Sequence, residues 1–193
     1  MKTVLISIPT DKYIEPETFK SIYDLIIPEG YTIEFKYIIG DQIDQIRNLI
    51  ADWGKNFDYL FSVDSDISFH PNTLQKLLQA DKDIISGLYI QRILGTHNLE
   101  LYKDRKVVEY EDIKNSGIIE IDSCGFGCVL IKGDVLRKMP HPHFKYISAL
   151  DHKDTFSEDT FFCSKAKDNG FKVFADTSIL CGHYGSIEYK VGE

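Results

Sequence analysis

The sequence predicts a single α/β domain over residues 1–193, a mixed and mostly parallel sheet flanked by helices. Apolar runs alternate with stretches of helical period through the first half, the joints between them are short, and an ordinary globular composition at this length suits one core. Val4 to Ile8 reads as a buried strand ending at Pro9-Thr10. Pro16 suits the first turn of a helix on which Phe19, Ile22, Tyr23 and Ile26 share an inward face. A strand from about Thr32 to Ile39 ends at Gly40-Asp41, and a helix follows with Ile43, Ile46, Ile50 and Trp53 as its buried stripe. Tyr59 to Val63 is a third strand, running straight into Asp64-Ser65-Asp66. Pro71 opens a third helix with Leu74, Leu77 and Leu78 inside, and Asp83 to Tyr89 is a fourth strand.

Such alternation implies parallel strands with right-handed crossovers, and ligands in these sheets bind beyond the carboxyl ends of the strands. Here those ends carry Thr10, Asp41, Asp64 and Gly87. The second half changes character. Leu99 to Ile113, with Lys103-Asp104-Arg105 at its centre, reads as an exposed hairpin. Ile118 to Asp122 and Cys128 to Lys132 are strands on either side of Gly125-Phe126-Gly127. Met139 to Leu150 reads as an irregular loop, Ser157 caps a helix over about Glu158 to Asn169, and Gly170 closes it. Phe171 to Ala175 is a last strand before an irregular tail containing Cys181-Gly182-His183.

The net charge of −8 argues against duplex nucleic acid or an anionic membrane surface as the main partner. The chain shows no signal peptide and no apolar stretch of membrane-spanning length, so a cytoplasmic location is expected. Cys124, Cys128, Cys163 and Cys181 lack the spacing of a zinc ribbon and read as small buried apolar residues rather than as a site with Cys124, Cys128 and a histidine.

The sharpest chemical signal is Asp64-Ser65-Asp66. Two carboxylates two residues apart at a buried strand's end repel each other, and a cation relieves that repulsion. Hard divalent cations take oxygen ligands and keep positions open for phosphates, so the pair reads as a metal clamp for a phosphorylated ligand, against the plainer alternative of a solvated strand end. Arg47 sits one position off the apolar stripe, able to pack its stem while its guanidinium reaches the rim toward a nucleotide or an acidic neighbour. Asn48 reads as structural. Glu158 and Asp159 complement the dipole of their helix after Ser157, which is a structural reason for two acids there. The glycines of Gly125-Phe126-Gly127 allow close backbone approach to a ligand, or mark a bend.

Taken in order, Ile8-Pro9-Thr10, Arg47-Asn48, Asp64-Ser65-Asp66, Gly125-Phe126-Gly127, Ser157-Glu158-Asp159 and a late His183 resemble the nucleotide-sugar glycosyltransferases of the GT-A fold. The resemblance covers nearly the whole chain and is nearest to the inverting, family-two-like enzymes, including compact single-domain versions from large viruses. It implies a nucleotide-binding half over 1–90 and an acceptor and catalytic half over 91–193. It further implies transfer from a nucleoside-diphosphate sugar, a uridine one, to a glycan or other acceptor hydroxyl, with inversion.

By the same resemblance Asp64, Asp66 and His183 hold a divalent cation, Mn2+ in preference to Mg2+ since an imidazole ligand favours manganese. Pro9, Thr10, Asp41, Arg47, Asp64, Ser65 and Gly125 contact the donor, with Thr10 and Asp41 where the family holds base and ribose. A cap for Thr10, a turn role for Asp41 and a surface position for His183 are the structural alternatives. The catalytic base falls in the pair Glu158-Asp159, Asp159 ahead of Glu158. Asp122 and Ser123 are available to the donor sugar, and the aromatic loop from His141 to His152 could cover the acceptor. Three other readings compete. A haloacid-dehalogenase-like phosphatase also uses Asp-x-Asp, but on its first strand. A nucleotidyltransferase needs a glycine-rich, lysine-bearing loop that is missing here. A non-catalytic sugar-nucleotide or glycan binding module would keep the fold without turnover.

Overall fold

The computed structural model describes residues 1–93, 98–147, 156–185 and 188–190. The alternating half is β1 (Lys2–Thr10), α1 (Pro16–Tyr23), β2 (Tyr31–Ile39), α2 (Ile43–Gly54), β3 (Tyr59–Val63), β4 (Ile67–Ser68), α3 (Thr73–Gln79) and β5 (Ile84–Leu88). The second half adds β6 (Leu101–Lys103), β7 (Lys106–Val107), α4 (Tyr110–Ile113), β8 (Ile118–Ile121), β9 (Ser123–Cys124), β10 (Cys128–Lys132) and α5 (Gly133–Lys138). It ends with α6 (Glu158–Asp168), β11 (Val173–Leu180), β12 (Gly182–Tyr184) and β13 (Glu188–Lys190).

A seven-stranded sheet runs β2-β1-β3-β10-β5-β11-β8. β1 pairs parallel with β2 and β3, and β5 with β11, while β10 and β8 run antiparallel to their neighbours. β3 and β5 are buried along their whole length, which explains why they read as unbroken apolar runs. Packing on the two faces yields two apolar clusters. One contains Ile46, Ile50, Leu60, Val129 and Phe162 beneath α2, α5 and α6, and the other contains Ile8, Phe61, Leu74 and Leu77 beneath α3.

Several expectations are corrected by this packing. On α1 only Ile22 of the residues spaced for the interior packs against the core, half-buried: Phe19 is 61 % and Tyr23 80 % exposed, and Ile26 beyond the helix is also exposed. Its buried side chains are Thr18 and Ser21, and the Ser21 hydroxyl accepts the Phe69 N–H at 3.0 Å. Periodicity sets which residues share a helix face; it does not determine what that face meets. α2 buries Ile46, Arg47, Ile50 and Ala51 as its inner face, whereas Ile43 is exposed at the rim and Trp53 is half-buried. α3 begins at Thr73 rather than at Pro71. Gly87 does not reach the rim but lies inside β5, where a Cβ would come within 2.7 Å of Ile179.

The exposed hairpin forms as β6 and β7, its turn made by Asp104 and Arg105 at φ of 52° and 61°. Two short helices, α4 and α5, escaped the periodicity because each spans under two turns. The tail read as irregular is instead ordered by pairing: β12 joins β4 and β13 in an antiparallel ribbon. The loop from His141 to His152 lies outside the described residues from Ser148 onward. All four cysteines are buried free thiols.

Candidate active site

The carboxyl ends of β1, β2 and β3 open onto a cleft of about 680 Å3, within the range of small-molecule sites. Pro9, Thr10, Asp41, Arg47, Asp64, Ser65, Asp66, Gly125, Glu158, Asp159 and His183 all line it. The residues named from the sequence for metal, nucleotide and base therefore meet in one place. The parallel register sets Thr10 beside Ile39, so the turns after β1 and β2 emerge together. The Thr10 hydroxyl donates to the Tyr13 carbonyl at 2.6 Å and its own carbonyl accepts the Gly40 N–H at 3.0 Å, so this side chain shapes the turn. Asp41 is exposed at the lip of the cleft.

After β3 the chain turns sharply, with the Asp64 N–H donating to the Gly127 carbonyl at 3.1 Å and the Ile67 N–H to the Asp64 carbonyl at 3.3 Å. The strand that follows, β4, pairs Ile67 with His183 of β12, and the Tyr184 N–H donates to the Asp66 carbonyl at 2.8 Å. This ribbon carries His183 to Asp66 across the length of the chain. The His183 Nδ1 lies 2.7 Å from the Ile90 carbonyl, so Nδ1 carries a proton and Nε2 is the ring atom turned to Asp66, 3.7 Å from its Oδ2. Metal-binding histidines are held in this manner. Two atoms that share one ion at about 2.1 Å each stand about 3.0–3.4 Å apart, so a small closure would bring this pair onto one ion.

Asp64 is held differently. Arg47, 4 % exposed, donates from Nη2 to Asp64 Oδ1 at 3.0 Å and from Nε to Glu158 Oε1 at 3.2 Å, while Asp159 Oδ1 also lies 3.2 Å from Nε. Because that N–H is aimed at Glu158, Asp159 Oδ1 has no hydrogen-bond partner although it is buried. Burial opposes the charge on Arg47, but Asp159, Asp64 and Glu158 together hold it firmly protonated. Burial raises the Asp64 carboxyl, with Arg47 opposing and Asp66 adding to the rise. Burial likewise lifts Asp159 well above the usual carboxylate range, helped by Glu158 and Asp64 against the pull of Arg47. A site that crowds carboxylates until their protons become hard to remove is one that a cation would relieve.

Asp159 is positioned from several sides. Ser157 caps α6, its hydroxyl accepting the Thr160 N–H at 3.2 Å, and Asp159 Oδ2 accepts the Phe126 N–H at 3.1 Å. Beneath it Phe126, Phe144 and Phe162 form a ring cluster with centroids 4.7–5.1 Å apart, and the Arg47 guanidinium lies 5.5 Å over Phe126. Each such pair adds about 0.5–1.5 kcal/mol beyond area burial. Gly125 answers a steric need, because a Cβ there would sit 2.1 Å from the Tyr89 hydroxyl. That hydroxyl accepts the Gly127 N–H at 3.0 Å, and burial next to Asp64 and Asp159 keeps the phenol protonated.

Among the cleft residues that sequence reasoning missed, three make contacts with the site acids, glycines or histidine. Arg92 pairs with Asp66 Oδ2 at 2.9 Å, Tyr89 supports the glycine turn, and burial raises the Glu100 carboxyl despite nearby His183. Tyr89 and Arg92 follow β5, so the rule that pointed to Thr10 and Asp64 points to them as well. Asp122 and Ser123 do not reach this cleft. They line a second cavity of about 850 Å3 with Tyr146, Phe156 and Lys167, and Asp122 pairs there with Lys167. Ser157 borders both spaces.

No known protein family and no curated protein matches the chain by sequence. Solved structures do match by shape. The A197 protein of STIV superposes with a TM-score of 0.64 at 20 % identity, covering 96 % of this chain and 86 % of that one. GalNAc-T7 crystallised with UDP, GalNAc and Mn2+ gives 0.62 at 11 % identity, over 94 % of this chain and 44 % of that one. Residues 1–349 of TarS from S. aureus give 0.54 at 15 % identity, over 92 % and 61 %. The chain thus has the GT-A fold of glycosyltransferases in one domain, and spans less than two thirds of the GalNAc-T7 and TarS chains.

Proposed function

We propose that this protein is a glycosyltransferase that moves a sugar from a nucleoside-diphosphate sugar, a uridine one, to an acceptor hydroxyl with inversion. The observation that carries the reading is Asp159: a buried carboxylate whose Oδ1 accepts no hydrogen bond and is met only by the Arg47 cation, set at a helix N-terminus in the same cleft as Asp64, Asp66 and His183. An inverting transfer needs a base to take the acceptor's proton as its oxygen attacks the anomeric carbon. Burial raises this carboxylate's affinity for a proton, which strengthens it as a base, and Oδ1 is the oxygen that accepts no hydrogen bond. Glu158, tied to Arg47, steadies the pair.

The donor set fits a divalent cation, with Asp66 and His183 Nε2 as direct ligands. Asp64, whose Oδ1 accepts from Arg47, would join that shell directly or through water. When bound, Mn2+ or Mg2+ would neutralise the pyrophosphate that accumulates charge as the glycosidic bond breaks. Arg92, 47 % exposed, releases Asp66 and turns to the phosphates, while Arg47 stays with the acids. Pro9, Thr10, Asp41 and Ser65 offer backbone and side-chain groups to base and ribose, and Gly125 lets the donor sugar approach the main chain. The acceptor enters from the second cavity, past Ser157.

One feature favours a binding module instead: Arg92 and Arg47 already occupy Asp66 and Asp159. Incubation of the chain with Mn2+, uridine-diphosphate sugars and a panel of hydroxyl acceptors separates the two readings. Release of uridine diphosphate that depends on acceptor and on Asp159 supports transfer. Metal-dependent nucleotide binding with no release under any acceptor supports the module.

A further inference from the structure

A second grouping of metal-ligating side chains lies on another face of α2, away from the cleft. Asp44, Asn48 and Asp52 recur every four residues along that helix and share one face. The segment Met139–Ile147 lies along it. Asn48 Oδ1 accepts the His143 N–H at 2.7 Å and the Phe144 N–H at 3.1 Å, and Asn48 Nδ2 donates to the Phe144 carbonyl at 2.7 Å. One position further along the same stripe, Asp52 meets His141 and His143, with one ligand atom of each within 4.8 Å of the others.

His143 is the informative member. It is 0 % exposed, and its Nε2 lies 2.9 Å from the Leu136 carbonyl, so Nε2 carries the proton. Nδ1 is left as a buried lone pair with no partner. A buried polar atom without a partner costs about 1–3 kcal/mol, so its presence calls for a reason.

We propose that Asp52, His141 and His143 bind one first-row divalent ion of the zinc class, cross-linking α2 to the Met139–Ile147 segment. Two imidazoles and a carboxylate are donors that zinc accepts, with water in the fourth position. Ligand atoms about 2.1 Å from one ion stand about 3.4 Å apart in a tetrahedron, so the group must close by roughly an ångström and a half at most. Asp52 and His141 are exposed, while the buried His143 is the fixed point. Lys55 donates to Asp52 Oδ1 at 2.6 Å and competes for the carboxylate. Lys165 is turned away to the Pro142 carbonyl at 2.6 Å. The consequence is local order, since Ile147 pairs with Phe156 immediately ahead of the helix that carries Asp159.

The test is zinc titration of the metal-free full chain by calorimetry, in an Asp66→Asn, His183→Ala background that removes the cleft ligands. A single equivalent of tight zinc is expected. Asp52→Asn and His141→Ala, at exposed positions that leave the fold intact, should each weaken it by at least the ten- to hundredfold typical of losing a ligand's supporting partner. Lys55→Met should tighten it. Cobalt in place of zinc should give a visible absorption that His141→Ala abolishes. Zinc affinity unchanged by both exposed substitutions, or no stoichiometric zinc at all, would overturn the site without touching the glycosyltransferase reading.

Discussion

At the carboxyl rim of the sheet, His183 gives its Nδ1 proton to the Ile90 carbonyl and turns Nε2 toward Asp66; behind α2, His143 gives its Nε2 proton to the Leu136 carbonyl and leaves Nδ1 unpartnered. The same device therefore serves two different settings. At the rim Asp64, Asp66, Glu100, Glu158 and Asp159 face Arg47 and Arg92, an excess of carboxylates lining an open cleft. Behind the helix one carboxylate, already paired with Lys55, meets two imidazoles on compact ground. Acid-rich, loosely gathered oxygens suit a hard cation that shares its shell with phosphates. Tightly gathered nitrogens suit an ion that the protein alone holds. Under the two proposals, proximity and donor type, rather than the presence of a histidine, separate the cleft assigned to turnover from the grouping assigned to holding two segments together.

The strongest way to break this contrast is Asp159→Asn. Turnover should fall by about 10²- to 10⁴-fold, the usual contribution of a positioned base, with uridine diphosphate binding nearly unchanged. A normal rate would move the base to Glu158 or remove it altogether. Next in size is Arg47→Met. Removing the cation leaves Asp64, Glu158 and Asp159 buried beside one another, which should cost about 3–5 kcal/mol in urea unfolding. A stability loss under about 1 kcal/mol would show that the acids are already neutral in pairs.

A crossed pair of variants sharpens the comparison directly. His183→Ala should weaken Mn2+-dependent nucleotide binding about tenfold or more and leave zinc binding at Asp52 untouched; His141→Ala should do the reverse. If either substitution moves both, the two groupings are not independent. Gly125→Ala tests the steric argument, since its new methyl meets the Tyr89 hydroxyl. A destabilisation of about 1–3 kcal/mol is expected, relieved in a Tyr89→Phe background by the smaller ring edge.

The smallest effect is the pH dependence. Asp159 and Asp64 have folded pKa values above their unfolded ones. Such groups stabilise the fold fully below the unfolded value near about 4, and that contribution is lost as pH rises through the folded value. Compared with Asp159→Asn, the metal-free wild type should therefore lose melting temperature as pH climbs through that range, and Mn2+ should restore more at high pH than at low. Parallel melting curves for the two proteins across pH would contradict the assignment.

Much of this site was legible in the chain itself. Strand ends in an alternating α/β pattern point to one rim, so the sequence alone places Thr10, Asp41 and Asp64 together, and Ser157-Glu158-Asp159 marks a helix start by its capping chemistry. Local rules of this kind depend on neighbours in sequence, which is why they survive. Other features rest on contacts that local rules do not see. Phe19 and Tyr23 share a helix face, yet only the packing of α1 against β4 shows that Thr18 and Ser21 are the buried side. The tail looked irregular because its strand character comes from pairing with β4, a partner distant in the chain.

The amino-acid order thus determined the layered α/β architecture, the acids at the strand ends and the capped helix bearing Asp159, all consequences of periodicity and short-range chemistry. The tertiary structure alone decided that His183 reaches Asp66, that Arg47 holds three acids at once, and that the Asp44-Asn48-Asp52 face of α2 meets His141 and His143. Each of those is a meeting of side chains far apart in sequence, and only the closing of the sheet and the docking of helices upon it bring them within bonding distance.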